Sequence, residues 1–198
     1  MERRSFLAGA AAGALAPFTL AASVRAQHLH QDGVEWFTDV AVQTQDGRTL
    51  RFYDDVLKGR IVIINFFYAE CDVLCPMMTE NLVRVQDLLG PRVGRDIFMC
   101  SITLQPDHDT PEVLAAFARR YGVGPGWQFL TGRPDDIELL RHRLGFVDSN
   151  PVRDADLERH LGNVRIGNVP MHRWTMCPAL LDPAAIVRAV KRAIPEQA

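Results

Sequence analysis

The chain has 198 residues, 47% of them hydrophobic and 23% charged, enough for one domain with a full core plus a short extension. Its formal net charge of −2 provides no basic field for nucleic acid, and no aromatic-rich basic patch supplies one locally. DNA and RNA are excluded as partners.

The first 26 residues, MERRSFLAGAAAGALAPFTLAASVRA, read as a signal peptide: a charged start, an uncharged Ala-rich stretch and a small-residue cleavage site before Gln27. Arg3-Arg4 ahead of Ser-Phe-Leu, with a weakly apolar middle, matches the twin-arginine type, which exports folded proteins to the periplasm. If it stays uncleaved, the stretch from Phe6 to Val24 is just long enough to anchor the chain in the inner membrane. The segment carries three Arg and one Glu, so the remainder holds 19 basic against 23 acidic residues, a net charge near −4. Residues 27–37 read as a flexible lead-in and residues 38–198 as the folded domain.

FTDVAVQTQDGRTLRF alternates around Asp46-Gly47 and predicts a β-hairpin. RIVIINFFY, residues 60–68, is an unbroken apolar run and predicts a strand buried on both faces. Leu82, Val85, Leu88 and Leu89 then keep helical spacing until Gly90-Pro91. DIFMCSITL predicts a second buried strand, and TPEVLAAFARRYG a helix with Thr110 as its cap, Pro111 in its first turn and Gly122 as its stop. WQFLTG predicts a short strand, RPDDIELLRHRLG a helix, and the last segment two strands around residues 160–181 followed by a helix from about Pro183. The alternation describes a mixed α/β domain of thioredoxin type.

Cys71, Cys75, Cys100 and Cys177 all lie in the part expected to be exported, where a disulfide is the default. Cys71 falls in the loop after the first buried strand and Cys75 in the first turn of the next helix, with Pro76 tolerated there. The curl brings the sulfurs together, as a disulfide, a redox couple or two ligands of one ion completed from elsewhere. Glu70 and Asp72 flank Cys71, and no Lys or Arg lies between Arg60 and Arg84; the carboxylates are expected to oppose thiolate formation and to welcome a cation. Cys100 reads as core, Cys177 as a buried thiol at a turn, Trp174, Met176 and Leu180 as strand core, and Met77 and Met78 as helix core. Of the histidines, His28 and His30 fall in the lead-in, His108 in a loop and His142 on a helix face. His160 and His172 both fall in the terminal sheet region, and spacing alone does not choose between them as a third ligand.

CDVLCP after a hydrophobic strand, SITLQPDHDTPEVL and a distal histidine together resemble the Sco/SenC family of copper chaperones, over about residues 34–192. The resemblance implies a thioredoxin-like fold, a central mixed sheet flanked by helices, with Cys71, Cys75 and His160 as metal ligands. His160 is preferred because the family's histidine stands just before the penultimate strand, where ERHLGNVRIGN falls. It also implies copper, as Cu(I) or Cu(II), and a part in assembling the binuclear copper centre of cytochrome c oxidase. That part is played as copper donor or thiol reductant, with oxidase subunit II as the receiving partner. Two thiolates and an imidazole suit Cu(I), and zinc accepts the same set. Other readings of this scaffold are a thiol–disulfide oxidoreductase or thiol peroxidase, against which the C-x-x-x-C spacing counts, and a redox or copper sensor. Gln105 stands where the family usually has Asp, and HLGNVRIGNVPMHRWTMCPALLDP departs from its usual short strand and turn, which marks a variant branch.

Overall fold

In the computed structural model the described residues are 36–156 and 162–194. The chain first forms a hairpin, β1 (Ala41–Thr44) and β2 (Thr49–Arg51), around the Asp46-Gly47 turn, where Gly47 takes a φ of 78° that favours glycine. A π-helical turn (Phe52–Leu57) leads into β3 (Ile61–Phe67). Then come α1 (Leu74–Leu89), β4 (Ile97–Thr103), α2 (Pro111–Arg120), β5 (Trp127–Gly132), α3 (Pro134–Arg143) and a single turn, α4 (Pro151–Asp154). The chain closes with β6 (Asn163–Asn168), β7 (Arg173–Pro178) and α5 (Pro183–Ala193). Every element expected from the periodicity is present. Thr110 caps α2 as expected, accepting from the Val113 amide at 3.5 Å, and Asp182 caps α5.

The seven strands form one sheet in the order β2-β1-β5-β4-β3-β6-β7. β3, β4 and β5 run parallel, while β1 is antiparallel to β5, β6 to β3 and β7 to β6. This is the central mixed sheet with an N-terminal hairpin that the sequence implied. Side-chain alternation assigns the faces. Phe67 meets Phe117 of α2 and Phe129, whereas its neighbour Phe66 meets Phe146, just beyond α3. α1, which packs against α5, is tied to the chain after α2 by Gln86, whose side chain bonds Gly124 and Pro125. Helices α1, α2 and α5 therefore cover one face and α3 the other. β3 is buried in between, as its unbroken apolar run predicted.

Two features of the last strands differ from expectation. β7 ends the sheet, so only β6 pairs with it, and its residues are mostly exposed: Met176 is 39% accessible and Leu180, just beyond, 44%. Neither is core, because an edge strand has a neighbour on one side only. Trp174 alone of that set packs inward, on Phe37 at 4.7 Å and over Gly167, where any Cβ would fall 2.2 Å from the indole ring. Phe37 is thus already buried, and packing begins one residue ahead of the expected boundary at 38.

The central strands are also joined by a buried polar chain. The Ser101 hydroxyl donates to Asn65 Oδ1 at 2.7 Å and accepts from the Trp127 indole N–H at 2.9 Å. Ser101→Ala leaves both partners buried and unpaired, so it should cost about 2 kcal/mol or more. Urea unfolding followed by tryptophan fluorescence should show a lower midpoint at unchanged slope.

Candidate metal centre

Parallel strands β3 and β4 end at the same edge of the sheet, and the loops that follow them meet there. The β3 loop turns at Tyr68–Cys71, with the Cys71 amide donating to the Tyr68 carbonyl at 3.4 Å, and α1 starts three residues later. Cys75 falls in its first turn and Pro76 is accommodated beside it, as the missing N–H of a first-turn proline allows. The β4 loop contributes Asp109, which is fully buried. Its Oδ2 accepts from the Ala69 amide at 3.0 Å and from the Thr103 hydroxyl at 2.5 Å. This carboxylate staples the cysteine loop to the end of β4. Its other oxygen, Oδ1, has no hydrogen-bond partner, and burial raises its pKa above the ordinary carboxylate value despite the two donors.

The two sulfurs are free thiols set at the helix start. The Cys75 amide donates to Cys71 Sγ at 3.2 Å, which uses one of the unpaired amides of the first turn. Cys75 is completely buried and Cys71 is 9% accessible, so the pair opens to solvent through Cys71. Their acidities diverge. Burial works against the Cys71 thiolate, but hydrogen bonds from the Cys75 amide and thiol, the Val73 amide and the Tyr68 hydroxyl outweigh it and hold the pKa below the ordinary value. Burial, followed by the thiol's bond to Cys71, pushes Cys75 far up. Glu70 and Asp72 were expected to oppose thiolate formation at Cys71, yet the direct donors bring its pKa down all the same. Those carboxylates are exposed, where water screens them, while the donors touch the sulfur directly.

The other candidates separate by position. Cys100 is core, 3% accessible, with its pKa pushed up to about 12 by burial. Cys177 lies within β7 and is half-buried, not enclosed at a turn. Met78 is buried, its Sδ accepting from the Gly162 amide at 3.1 Å, but Met77 is 50% exposed. His108 is an exposed loop residue, and His142 pairs with Glu138 at 3.0 Å. His28, His30 and His160 lie outside the described residues.

His172 is settled by topology. β6 is antiparallel to β3, with Asn168 opposite Ile61, so the β6–β7 turn holding His172 sits where β3 begins. The cysteines sit where β3 ends, about 20 Å away for a seven-residue strand. The opposite end of β6 lies at the cysteine edge: Gly162 bonds Met78 of α1, and a Cβ on it would stand 4.0 Å from Leu74.

One cluster of metal-type ligands forms elsewhere among the described residues, namely Glu138, His142 and Asp154. The guanidinium of buried Arg141 already bonds both of its carboxylates, at 2.6 and 2.8 Å, and supplies their cation.

Two further residues frame the thiols: Asp109, which the family pattern keeps although Gln105 departs from it, and Tyr68, which reading the sequence passed over. Asp109 had a signal, an acid closing the SITLQPDHDTP motif; Tyr68 had none, since it reads as the end of an apolar strand.

The chain matches the family model described as SCO1/SenC over residues 38–194. The SCO1 protein homolog of Bacillus subtilis is 33% identical over 100 residues, half of this chain and 49% of that protein. A SCO2-like protein of Rickettsia felis is 26% identical over 63% of this chain and 62% of its own length. The matches thus span between half and two thirds of these relatives. Among solved structures, yeast Sco1 with copper bound superposes with a TM-score of 0.60 at 20% identity, over 78% of this chain and 92% of that one. BsSco, described by its disulfide switch and as a member of a family of cytochrome c oxidase assembly proteins, gives 0.62 at 22% identity, over 79% and 92%. The fold is that of these thioredoxin-like structures.

The thiol asymmetry has a direct readout. Brief alkylation of the reduced protein at about pH 7.5 should label Cys71 well before Cys75 or Cys100, because only Cys71 has its thiolate favoured. Its rate should rise with pH to a midpoint below that of an ordinary thiol, about 8.5. Peptide mapping by mass spectrometry checks both.

Proposed function

The chain belongs to the SCO1/SenC family, and from that premise we propose that it is a periplasmic copper carrier which holds one copper ion through Cys71, Cys75 and His160 and delivers it during assembly of cytochrome c oxidase. The observation that carries this reading is the pair of adjacent free thiols at a strand–helix junction, buried among the described residues with Cys71 the more exposed of the two. Soft sulfur donors away from bulk water select Cu(I), and loading the ion releases the thiol protons, which makes uptake pH-dependent. The β6 register supports His160 over His172: His160 is two residues from Gly162, at most about 7 Å of chain, and Gly162 stands beside the helix that bears Cys75. The twin-arginine-type leader is the ground for the periplasm. Among the described residues no helix is long and apolar enough to cross a membrane.

A substitution series read by metal analysis and visible spectra tests the ligand set. Cys71→Ser with Cys75→Ser should remove stoichiometric copper. His160→Ala should keep Cu(I), which two thiolates can hold, but lose Cu(II). His172→Ala should change neither. In the unaltered protein Cu(II) binding should weaken as pH falls through the imidazole range, about 6.5, since the ligand must be neutral. Full copper retention in the double cysteine variant places the site elsewhere.

The split thiol acidities favour a second use of the same pair. The Cys71 thiolate attacks a disulfide sulfur of a target protein and forms a mixed disulfide. The Cys75 thiol, losing its proton, then attacks Cys71, so that the target leaves as a dithiol and Cys71–Cys75 as a disulfide. Two electrons pass to the target. Because the disulfide has no thiolate to offer, copper and oxidation should exclude each other. Oxidised protein incubated with Cu(I) and no thiol should take up none, and prior reduction by dithiothreitol, removed before Cu(I) is added, should restore one ion per chain.

A further inference from the structure

The surface around the Cys71 opening combines two features. Val73 is 68% exposed and Met77 50%, one helical turn apart, with the Met77 amide on the Val73 carbonyl. Leu180 and Leu181 are 44% and 39% exposed. They are held against the next turn of α1 by Asn81, whose amide donates to the Ala179 and Leu181 carbonyls at 2.8 Å each. An apolar strip therefore runs from the cysteine loop along α1. Exposed carboxylates border it: Glu70 and Asp72 in the cysteine loop and Glu80 on α1. None of the three has an ion-pair partner among the described residues. No Lys or Arg occurs between Arg60 and Arg84, or between Arg95 and Arg119. The far end of the sheet has the opposite sign. There His172, Arg173 and Arg192 line a cavity of about 430 Å³ with Trp174 and no carboxylate.

We propose that this apolar strip with its carboxylate collar is the docking surface for a partner protein whose own metal ligands lie in an apolar patch ringed by lysines and arginines. The proposal rests on the copper-carrier reading and names the face through which the carrier acts. Handing over an ion requires the ligands of both proteins in one coordination sphere, so the residues framing Cys71 must touch the partner. Charge selects what that partner presents. A second copy would set carboxylates against carboxylates, and phospholipid headgroups and nucleic acids are anionic as well. The unpaired collar is relieved only by a cationic face, and the opposite charges at the two ends of the sheet orient the opening toward it during encounter. Exposed apolar side chains inside a charged rim are also the ordinary anatomy of a protein interface.

The test uses the full chain loaded with one Cu(I), and the copper-free metal domain of cytochrome c oxidase subunit II as probe. Transfer is followed at about 20 and 200 mM salt, where screening differs strongly, beside copper removal by uncharged dithiothreitol. The comparison protein carries Glu70→Gln, Asp72→Asn and Glu80→Gln together. Transfer to the probe should slow about tenfold or more at low salt and lose most of its salt dependence. Copper content and removal by dithiothreitol should not change. Val73→Ser with Met77→Ser should slow transfer while keeping the salt dependence. Equal rates and equal salt dependence in the unaltered and charge-neutralised proteins overturn the proposal, as does a copper-loaded chain that yields its ion to dithiothreitol but never to the probe. A chain that holds no copper before any partner is added overturns the carrier reading itself, and this proposal with it.

Discussion

β3 pairs with β4 along its whole length and with β6 over its first four residues, while helices close both faces. Over those four residues both edges of its backbone are satisfied by neighbouring strands, as buried amides and carbonyls require. Where the strand stops, the chain must regain partners at once, and it does so by turning into α1. The six residues between Phe67 and Leu74 hold the first cysteine, and the first turn of the helix holds the second. The position of the thiols is thus a consequence of where ladder pairing ends. The same edge receives the β4 loop, because β3 and β4 are parallel and in register, and Asp109 closes the join by bonding Ala69.

The chemistry of the pair comes from unequal burial. Both sulfurs are near the amino end of a helix, yet only Cys71 collects enough donors to offset desolvation. Cys75, deeper and facing the core, keeps its proton. One thiol is therefore ready to meet an ion or a sulfur at the surface while the other waits beneath it. This arrangement suits the proposed copper capture and thiol exchange alike, since both begin with one accessible thiolate and are completed by a second.

Charge is distributed along the sheet axis. The cysteine edge is acidic and partly apolar, and the edge near His172 is basic. Neither is needed for folding: surface charges of this kind add little to stability. The separation gives the molecule a direction, with its reactive thiol at the negative end.

How much of this was legible in the chain follows from the range of each interaction. Strands, helices, the hairpin and the cap at Thr110 depend on residues a few positions apart, and alternation, helical spacing and Gly or Pro punctuation reveal them. The Cys71–Cys75 pair was legible for the same reason, since one loop and one helical turn set its spacing. Spacing did not separate His160 from His172, twelve apart in a single segment; the family resemblance preferred His160, and the antiparallel register of β6 on β3 then sends the turn that holds His172 to the far edge. The acidity of Cys71 was misjudged from its sequence neighbours, Glu70 and Asp72, which face water; the Tyr68 hydroxyl and the α1 amides decide it by contact. Met176 and Leu180 looked like core by alternation, but a period of two says which side chains share a face, not whether another layer covers that face. The sequence by itself determined the elements and the linked thiols, through local backbone preference and apolar period. Tertiary structure alone decided which strand lies at the edge, at which end of the sheet His172 stands and which thiol is the more exposed, because those depend on groups brought together from distant parts of the chain and on the water their packing removes.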